Sequence, residues 1–270
     1  MELPFTKMNG AGNDFVVLDN RNLSLSLSSD QIAHLCDRHR GVGADGLLAV
    51  EPAREGADFR MRYYNADGGE AEMCGNGARC FARFAARLLP ARPGVLSFET
   101  PAGVILGRFD GDLVTINMST PHDHRPATPL DVRGRPLDVH FINTGVPHAV
   151  VFVDDVETVD IRADGAALRW HEAFQPKGTN ANFAQVESNG SLVLRTYERG
   201  VEDETLACGT GICAAALLHH LAHGTPSPVA VRVRGGDTLL AGFSRSSDGS
   251  FSEVTLTGPA DFVFDGTISI

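Results

Sequence analysis

The chain has 270 residues, 43% of them hydrophobic, and a formal net charge of −11 at neutral pH. At roughly 150 residues per domain the length suits two domains, and the apolar content is sufficient for ordinary cores. The acidic balance disfavours nonspecific binding to nucleic acid or to acidic membranes.

Only two lysines, Lys7 and Lys177, stand against 21 arginines. A pyridoxal enzyme needs a lysine for its Schiff base, and neither stretch reads as a cofactor cup. The five cysteines, Cys36, Cys74, Cys80, Cys208 and Cys213, are an odd number. The start Met-Glu-Leu-Pro-Phe has no secretory pattern, and no apolar run approaches the ~20 residues of a membrane helix. A reducing cytoplasm is the expected compartment.

In chain order, Phe5 to Asn9 and Phe15 to Asp19 read as strands around the loop Gly10-Ala11-Gly12-Asn13-Asp14. That Gly-x-Gly lacks the strand and helix of a dinucleotide fingerprint. Ser28, Ser29 or Asp30 caps a helix to about Arg38, with Ile32, Leu35 and Cys36 on its core face. Gly41 to Gly46 is a loop feeding a strand from Leu47 to Glu51. Arg60 to Tyr64 is a strand ending in the turn Asn65-Ala66-Asp67-Gly68-Gly69. A helix then runs to about Leu89, stopped by Pro90. Val95 to Met118 reads as three strands with two turns.

Ser119 to Pro136 is rich in Pro, His and Asp and reads as a connection between halves. His122 and His124 there lack the partners of a metal site, so no metal is expected. Strands follow at Leu137 to Asn143 and Ala149 to Val153, then a helix from about Ala163 to Phe174. Strands Phe183 to Glu187 and Leu192 to Tyr197 precede a helix from about Thr210 to His223, ended by Gly224. His219, His220 and His223 read as surface residues of that helix, without the glutamate of a zinc motif. The last strands are Val229 to Phe243, Phe251 to Leu256 and Phe262 to Ile270.

Two stretches repeat. Met73-Cys74-Gly75-Asn76-Gly77-Ala78-Arg79-Cys80 and Ala207-Cys208-Gly209-Thr210-Gly211-Ile212-Cys213 each set Cys-Gly-x-Gly before an Ala-rich helix. At an offset of 134 residues Tyr63 matches Tyr197 and Glu70 matches Glu204. Gly12 to Val17 falls against Gly145 to Val150, and Gly41 to Asp45 against Gly178 to Asn182. The repeat is one whole domain, not a short-period array.

A cysteine acts as base or nucleophile through its thiolate, which a helix N-terminus favours. The unpaired N–H groups there also bind an anion such as a carboxylate. Two such units suggest inversion of a carbon centre, with Cys74 and Cys208 facing each other across one substrate. One acts as thiolate base and the other as thiol acid. The competing reading, that free cysteines are small buried hydrophobes, is outweighed by the duplication.

These residues make the chain resemble the diaminopimelate epimerase family. The matching runs are Met8 to Phe15, Asn65-Ala66-Asp67-Gly68, Met73 to Cys80, Tyr197-Glu198-Arg199-Gly200 and Glu204 to Gly211, in the family's order. The resemblance implies a mixed α/β (α+β) fold of two pseudo-symmetric domains. Each is a strand-rich sheet or barrel wrapped around a central helix. The domains would span 1–118, completed by the last strand at 262–270, and 119–261.

It also implies an isomerase without metal, pyridoxal or other cofactor that interconverts LL- and meso-diaminopimelate for lysine and peptidoglycan precursor synthesis, usually as a homodimer. By matching positions Cys74 and Cys208 would be the acid–base pair, and His148 and Glu198 would tune or position them. Gly75, Asn76, Gly209 and Thr210 would hold the reacting end. Asn13, Asn65, Asn180, Glu198 and Arg199 would recognise the distal amino-acid end, whose carboxylate needs donors and whose ammonium needs acceptors.

Two positions depart from the family's pattern. Val146 stands where many members have Asn, and Gly46 where some have Gln. One alternative is a racemase for another amino acid, such as histidine or proline. Another is a zinc module built on Cys74, Cys80, Cys208 and Cys213, disfavoured because Cys80 and Cys213 fall inside the expected helices.

Overall fold

The computed structural model describes residues 2–71, 73–91 and 93–270. The chain forms two compact units, Met1–Ile116 with Gly258–Ile270, and Asn117–Thr257. The first contains β1 (Glu2–Gly10), β2 (Asn13–Asp19), α1 (Ser29–Cys36), β3 (Gly46–Pro52), β4 (Phe59–Asn65), β5 (Glu70–Ala71), α2 (Gly75–Arg87), β6 (Val95–Thr100), β7 (Gly103–Asp110) and β8 (Leu113–Asn117). The second contains β9 (His122–Val132), β10 (Arg135–Asn143), β11 (Pro147–Phe152), α3 (Ile161–Arg169), β12 (Asn180–Val186), β13 (Leu192–Glu198), β14 (Asp203–Thr205), α4 (Gly209–His223), β15 (Val229–Val233), β16 (Thr238–Arg245) and most of β17 (Phe251–Pro259). The last strand, β18 (Asp261–Ser269), returns to the first unit.

Within the first unit the strand order is β18-β1-β2-β3-β4-β6-β7-β8, with β5 beside β4. Within the second it is β9-β10-β11-β12-β13-β15-β16-β17, with β14 beside β13. The senses agree pair by pair. All are antiparallel except β2–β3 and β4–β6 in one unit, and β11–β12 and β13–β15 in the other. A parallel pair requires a crossover, and each of these four crossovers carries one α-helix.

The helices of the second crossovers form the two centres. α2 packs against β1, β2, β3, β4, β6 and β7, and α4 against β10, β11, β12, β13, β15 and β16. Every residue from Gly211 to His219 is buried in α4, as expected for a helix that is apolar nearly all round. In α2 the run Asn76 to Ala82 is buried, and so are Phe84, Ala85 and Ala86. Ser28 caps α1 through a reciprocal pair with Gln31, a capping box. Gly224 ends α4 at φ 70°, the left-handed geometry that glycine adopts without strain.

Register refines the internal repeat. Phe15 faces Gly46 across β2–β3, and His148 faces Asn180 across β11–β12. Phe15 and His148 are therefore equivalent, as the sequence match had them, but Asn180 corresponds to Gly46 rather than to Gly43. Glu70 pairs with Tyr64, and Glu204 with Tyr197, so Tyr197 matches Tyr64 and not Tyr63. The second unit has one more residue in the intervening turn. The bidentate pair Arg62–Glu70, with 2.5 and 2.8 Å bonds, recurs as Arg195–Glu204 with 2.7 and 2.9 Å bonds.

Three local expectations are corrected. Ser119 to Pro136 is not a bare connection, since His122–Val132 is β9, paired antiparallel with β10 and exposed along most of its length. His219 is buried at 1% exposure, with Nε2 bonded to Thr225 Oγ1 at 2.8 Å. The helix expected to reach Phe174 ends at Arg169, and a separate 3-10 turn covers Glu172–Phe174.

Candidate active site

In the first unit Cys74 is the N-cap residue of α2, extended at φ −136° and ψ 123°, and its side chain does not cap the helix. The half-buried thiol donates to Asn13 Oδ1 at 3.4 Å. Asn13 opens β2, and its Nδ2 donates to Asp45 Oδ2 at 2.6 Å. Arg38 binds Asp45 at 2.8 Å and Asp14 at 2.8 and 3.0 Å. Lys7 Nζ lies 2.7 Å from Asp14 and also donates to the Gly43 carbonyl. Burial pushes the Asp14 carboxyl up, but the bonds from Arg38 and Lys7 outweigh it and hold the group at about 2. Lys7 is thus committed to an ion pair.

Behind the Cys74 turn, Arg79 is fully buried. It donates to the Gly75 carbonyl at 3.2 Å, to Asn76 Oδ1 at 3.0 Å and to the Pro259 carbonyl at 3.2 Å. Arg79 thereby fixes the acceptor end of the Asn76 amide. A Cβ at Gly10 would lie 2.8 Å from the Asn76 carbonyl, so glycine is what lets β1 approach the start of α2.

Asn65 lies at the exposed end of β4, and its Oδ1 accepts from the Tyr63 hydroxyl at 2.9 Å. A Cβ at Gly46 would sit 2.6 Å from the Tyr64 carbonyl and 2.9 Å from the Tyr63 ring. The space of a side chain at position 46 is therefore already filled, partly by Tyr63.

In the second unit Cys208 caps α4 in the same extended way, at φ −116° and ψ 106°, and is buried at 6% exposure. Its Sγ lies 3.6 Å from Thr210 Oγ1, and that oxygen lies 2.9 Å from Nε2 of His148. His148 is fully buried, and its Nδ1 lies 3.1 Å from Nδ2 of Asn182. Asn182 also donates to the Ala149 carbonyl at 2.9 Å and accepts from Thr196 at 2.9 Å. Burial, and after it the positive charge of Arg199, lower the His148 imidazole to about 3. His148 is a neutral ring at physiological pH.

Asn180 is buried at 3% exposure and its Oδ1 accepts the Arg199 amide N–H at 2.7 Å. The Arg199 guanidinium donates to the Lys177 carbonyl at 3.2 Å. Glu198 accepts from Thr205 Oγ1 at 3.0 Å. Burial pushes its carboxyl above the ordinary range, with the Thr205 bond opposing. Val146 is half-buried in the turn before β11, and its carbonyl accepts from the Thr144 N–H.

The structure therefore gathers the expected residues into local groups. Cys74, Asn13, Gly75 and Asn76 meet at the start of α2. Cys208, Gly209, Thr210 and His148 meet at the start of α4, and Asn180 joins Arg199 at the end of β13. Asp45, Arg79, Asn182 and Tyr63 emerge from the structure as partners of these residues. Asn182 had one sequence signal, because it follows Asn180 by two residues in a strand and shares its face.

The other cysteines differ in kind. Cys36 and Cys80 are buried, which pushes their thiols up to about 11 and about 12. Cys213 is fully buried. Among the described residues no group of three or more His, Cys, Asp and Glu side chains is placed to hold a metal ion. Among them, too, no helix is long and apolar enough to cross a membrane.

Each Cys-Gly-x-Gly turn offers a sulfur and a row of N–H groups at a helix N-terminus, the equipment for moving a proton next to a bound carboxylate. The "Diaminopimelate epimerase" of Chlorobaculum tepidum is 41% identical over 269 residues, covering 97% of this chain and all of that protein. The "Diaminopimelate epimerase" of Aquifex aeolicus is 43% identical over 283 residues, covering 99% of this chain and 98% of that one. Among solved structures, a PhzF-family phenazine biosynthesis protein from Bacillus anthracis superposes with a TM-score of 0.76 over the whole of both chains at 14% identity, a likeness of fold alone. The family model described as diaminopimelate epimerase matches residues 5–122 and 140–263, and the chain belongs to that family.

Proposed function

We propose that the protein is a cofactor-independent isomerase that interconverts LL- and meso-2,6-diaminopimelate by two-base proton transfer. The observation that carries this reading is the duplicated placement of Cys74 and Cys208 at the N-caps of α2 and α4. One sulfur, as thiolate, takes the α-proton, and the other, as thiol, returns a proton to the opposite face. The reverse reaction exchanges the roles. The N–H groups of Gly75 to Gly77 and of Gly209 to Gly211 bind the α-carboxylate and stabilise the charge that develops beside it.

Asn13, Asn65, Asn180, Glu198 and Arg199 serve the distal amino-acid end. The half-buried Glu198 carboxyl and the Arg199 guanidinium supply opposite charges for its ammonium and carboxylate. His148 and Glu198 tune the sulfurs. The reaction serves lysine and peptidoglycan precursor synthesis in the cytoplasm, with a homodimer as the working form.

Incubation with LL-diaminopimelate in deuterated water, without added cofactor, tests the reading. Meso product carrying deuterium at the inverted α-carbon is the expected result. Turnover of a different amino acid, with diaminopimelate untouched, would replace the substrate assignment with that of another racemase. Product without solvent deuterium would overturn the proton-transfer scheme.

A further inference from the structure

The two sulfurs sit at equivalent helix caps, yet their side-chain partners are opposite in hydrogen-bonding sense. At Cys74 one partner is the Asn13 amide. Asp45 Oδ2, 2.6 Å away, can only accept, so the Asn13 nitrogen faces Asp45 and the oxygen faces Cys74. The reversed amide would set oxygen against oxygen at 2.6 Å. Arg38 and the Asp14 N–H hold Asp45 in place at 2.8 and 3.3 Å. An amide oxygen has no hydrogen to give, so this bond forms only while the sulfur keeps its proton.

At Cys208 the chain of bonds runs the other way. The Ala149 carbonyl can only accept, so the Asn182 nitrogen faces it at 2.9 Å and also faces His148 Nδ1 at 3.1 Å. Nδ1 is thereby the acceptor, and the ring hydrogen is on Nε2. Nε2–H donates to Thr210 Oγ1 at 2.9 Å. Accepting there leaves the Thr210 hydroxyl its own hydrogen to give, and Cys208 Sγ lies 3.6 Å away within its reach. A donor aimed at sulfur favours the thiolate.

We propose that Asp45 and Asn182 are positioning residues that give the sulfurs opposite roles, so that the resting enzyme carries its proton on Cys74 and its thiolate on Cys208. This deepens the two-base reading and rests on it. It names which sulfur is the base in the free enzyme and which residues, themselves away from the substrate, decide it. Neither Asp45 nor Asn182 acts by touching sulfur. Each fixes the orientation of the group that does.

The test is the pH dependence of iodoacetamide alkylation of the full-length protein, read separately at Cys74 and Cys208 by peptide mass spectrometry. The expected midpoint for Cys208 lies below that for Cys74 by about one pH unit or more, a roughly tenfold difference in thiolate fraction at a pH below both. Asp45→Asn frees the Asn13 amide to reverse, so the Cys74 midpoint falls while that of Cys208 stays. Thr210→Val removes the donor and raises the Cys208 midpoint without moving that of Cys74. Asn182→Asp moves the ring hydrogen to Nδ1 and has the same effect as Thr210→Val.

Asp45 and Thr210 are both partly exposed, which keeps the first two variants informative if Asn182→Asp fails to fold. Equal midpoints, a lower midpoint at Cys74, or no response to both Asp45→Asn and Thr210→Val would overturn the proposal. Because the assay uses no substrate, its outcome is separate from whether diaminopimelate is turned over.

Discussion

Asn182 Nδ2 lies 3.1 Å from Nδ1 of His148, at the centre of a buried network that also ties in Ala149 and Thr196. With Nδ1 held as an acceptor by that amide, the ring hydrogen lies on Nε2. With burial and the charge of Arg199, this makes His148 a hydrogen-bond donor of fixed tautomer rather than a proton shuttle. The relationship has consequences for stability as well as for chemistry.

His148 should make the second unit acid-sensitive. Its imidazole is lowered from 6.5 to about 3 in the folded protein. Below pH 6.5 the unfolded chain binds a proton that the folded chain refuses until about pH 3. Stability is therefore full above about 6.5 and falls as pH drops through that window, by on the order of 4 kcal/mol at its acid end. Urea unfolding of wild type and His148→Gln at pH 7, 5.5 and 4 measures this. The variant should show a shallower pH slope, and identical slopes would contradict the assignment.

Loss of either cap cysteine should stop the reaction without unfolding the chain. Cys74→Ala and Cys208→Ala each remove one proton donor or acceptor, and a positioned acid or base typically contributes 10²–10⁴-fold. Turnover should drop by at least about that range in either variant, while far-UV circular dichroism stays unchanged. Near-normal turnover in either one would remove that sulfur from the mechanism.

Much of this was legible in the sequence, and the exceptions have physical causes. The paired Cys-Gly-x-Gly stretches show because each glycine-rich turn opens a helix at its cysteine. β9 was hidden because Pro126, Pro129 and its many polar side chains belong to a strand that is exposed almost throughout, and proline is tolerated in edge strands. His219 was misplaced because the i,i+4 pair with His223 suggests a wet helix face, whereas α4 is enclosed along most of its length. The Tyr63 match failed by one residue because the turn before β14 is longer than the turn before β5. The roles of Asp45 and Asn182 could not be read at all, since they act through amide and ring orientations that exist only after folding.

Arg79 should prove a structural keystone of the first turn of α2. It is fully buried with three hydrogen-bond acceptors around it. Arg79→Ala leaves buried oxygens without those donors, and losses of this kind cost about 1–3 kcal/mol each. A destabilisation of roughly 3 kcal/mol or more is expected by chemical unfolding. Because Asn76 loses its anchor, the residual enzyme should also show a raised KM. A stability change below about 1 kcal/mol would mean that the pocket relaxes around the gap.

The Tyr63 hydroxyl should act on substrate binding more than on turnover. It donates to Asn65 Oδ1 at 2.9 Å, which in the proposed function leaves the amide nitrogen of Asn65 as the donor to a distal carboxylate. Tyr63→Phe keeps the ring that fills the space over Gly46 and deletes only this bond. A few-fold rise in KM with kcat nearly unchanged is the expected kinetic split, worth about 1 kcal/mol. An equal fall in kcat and kcat/KM would instead place the bond in the transition state.

Gly211→Ala is the sharpest probe of packing at the α4 cap. A methyl there would lie 2.6 Å from Asn182 Oδ1 and 3.3 Å from His148 Cε1. In an open helix, alanine would be favoured over glycine by up to about 1 kcal/mol. Here the obstructing oxygen is the end of a buried side chain already bonded to Thr196, so it has little room to yield. Overpacking of about 1–3 kcal/mol should exceed the helix gain. The displaced Asn182 should also release the His148 tautomer, so kcat falls together with stability. A variant that is more stable than wild type and fully active would show that the network tolerates the methyl and that its geometry does not govern the sulfur.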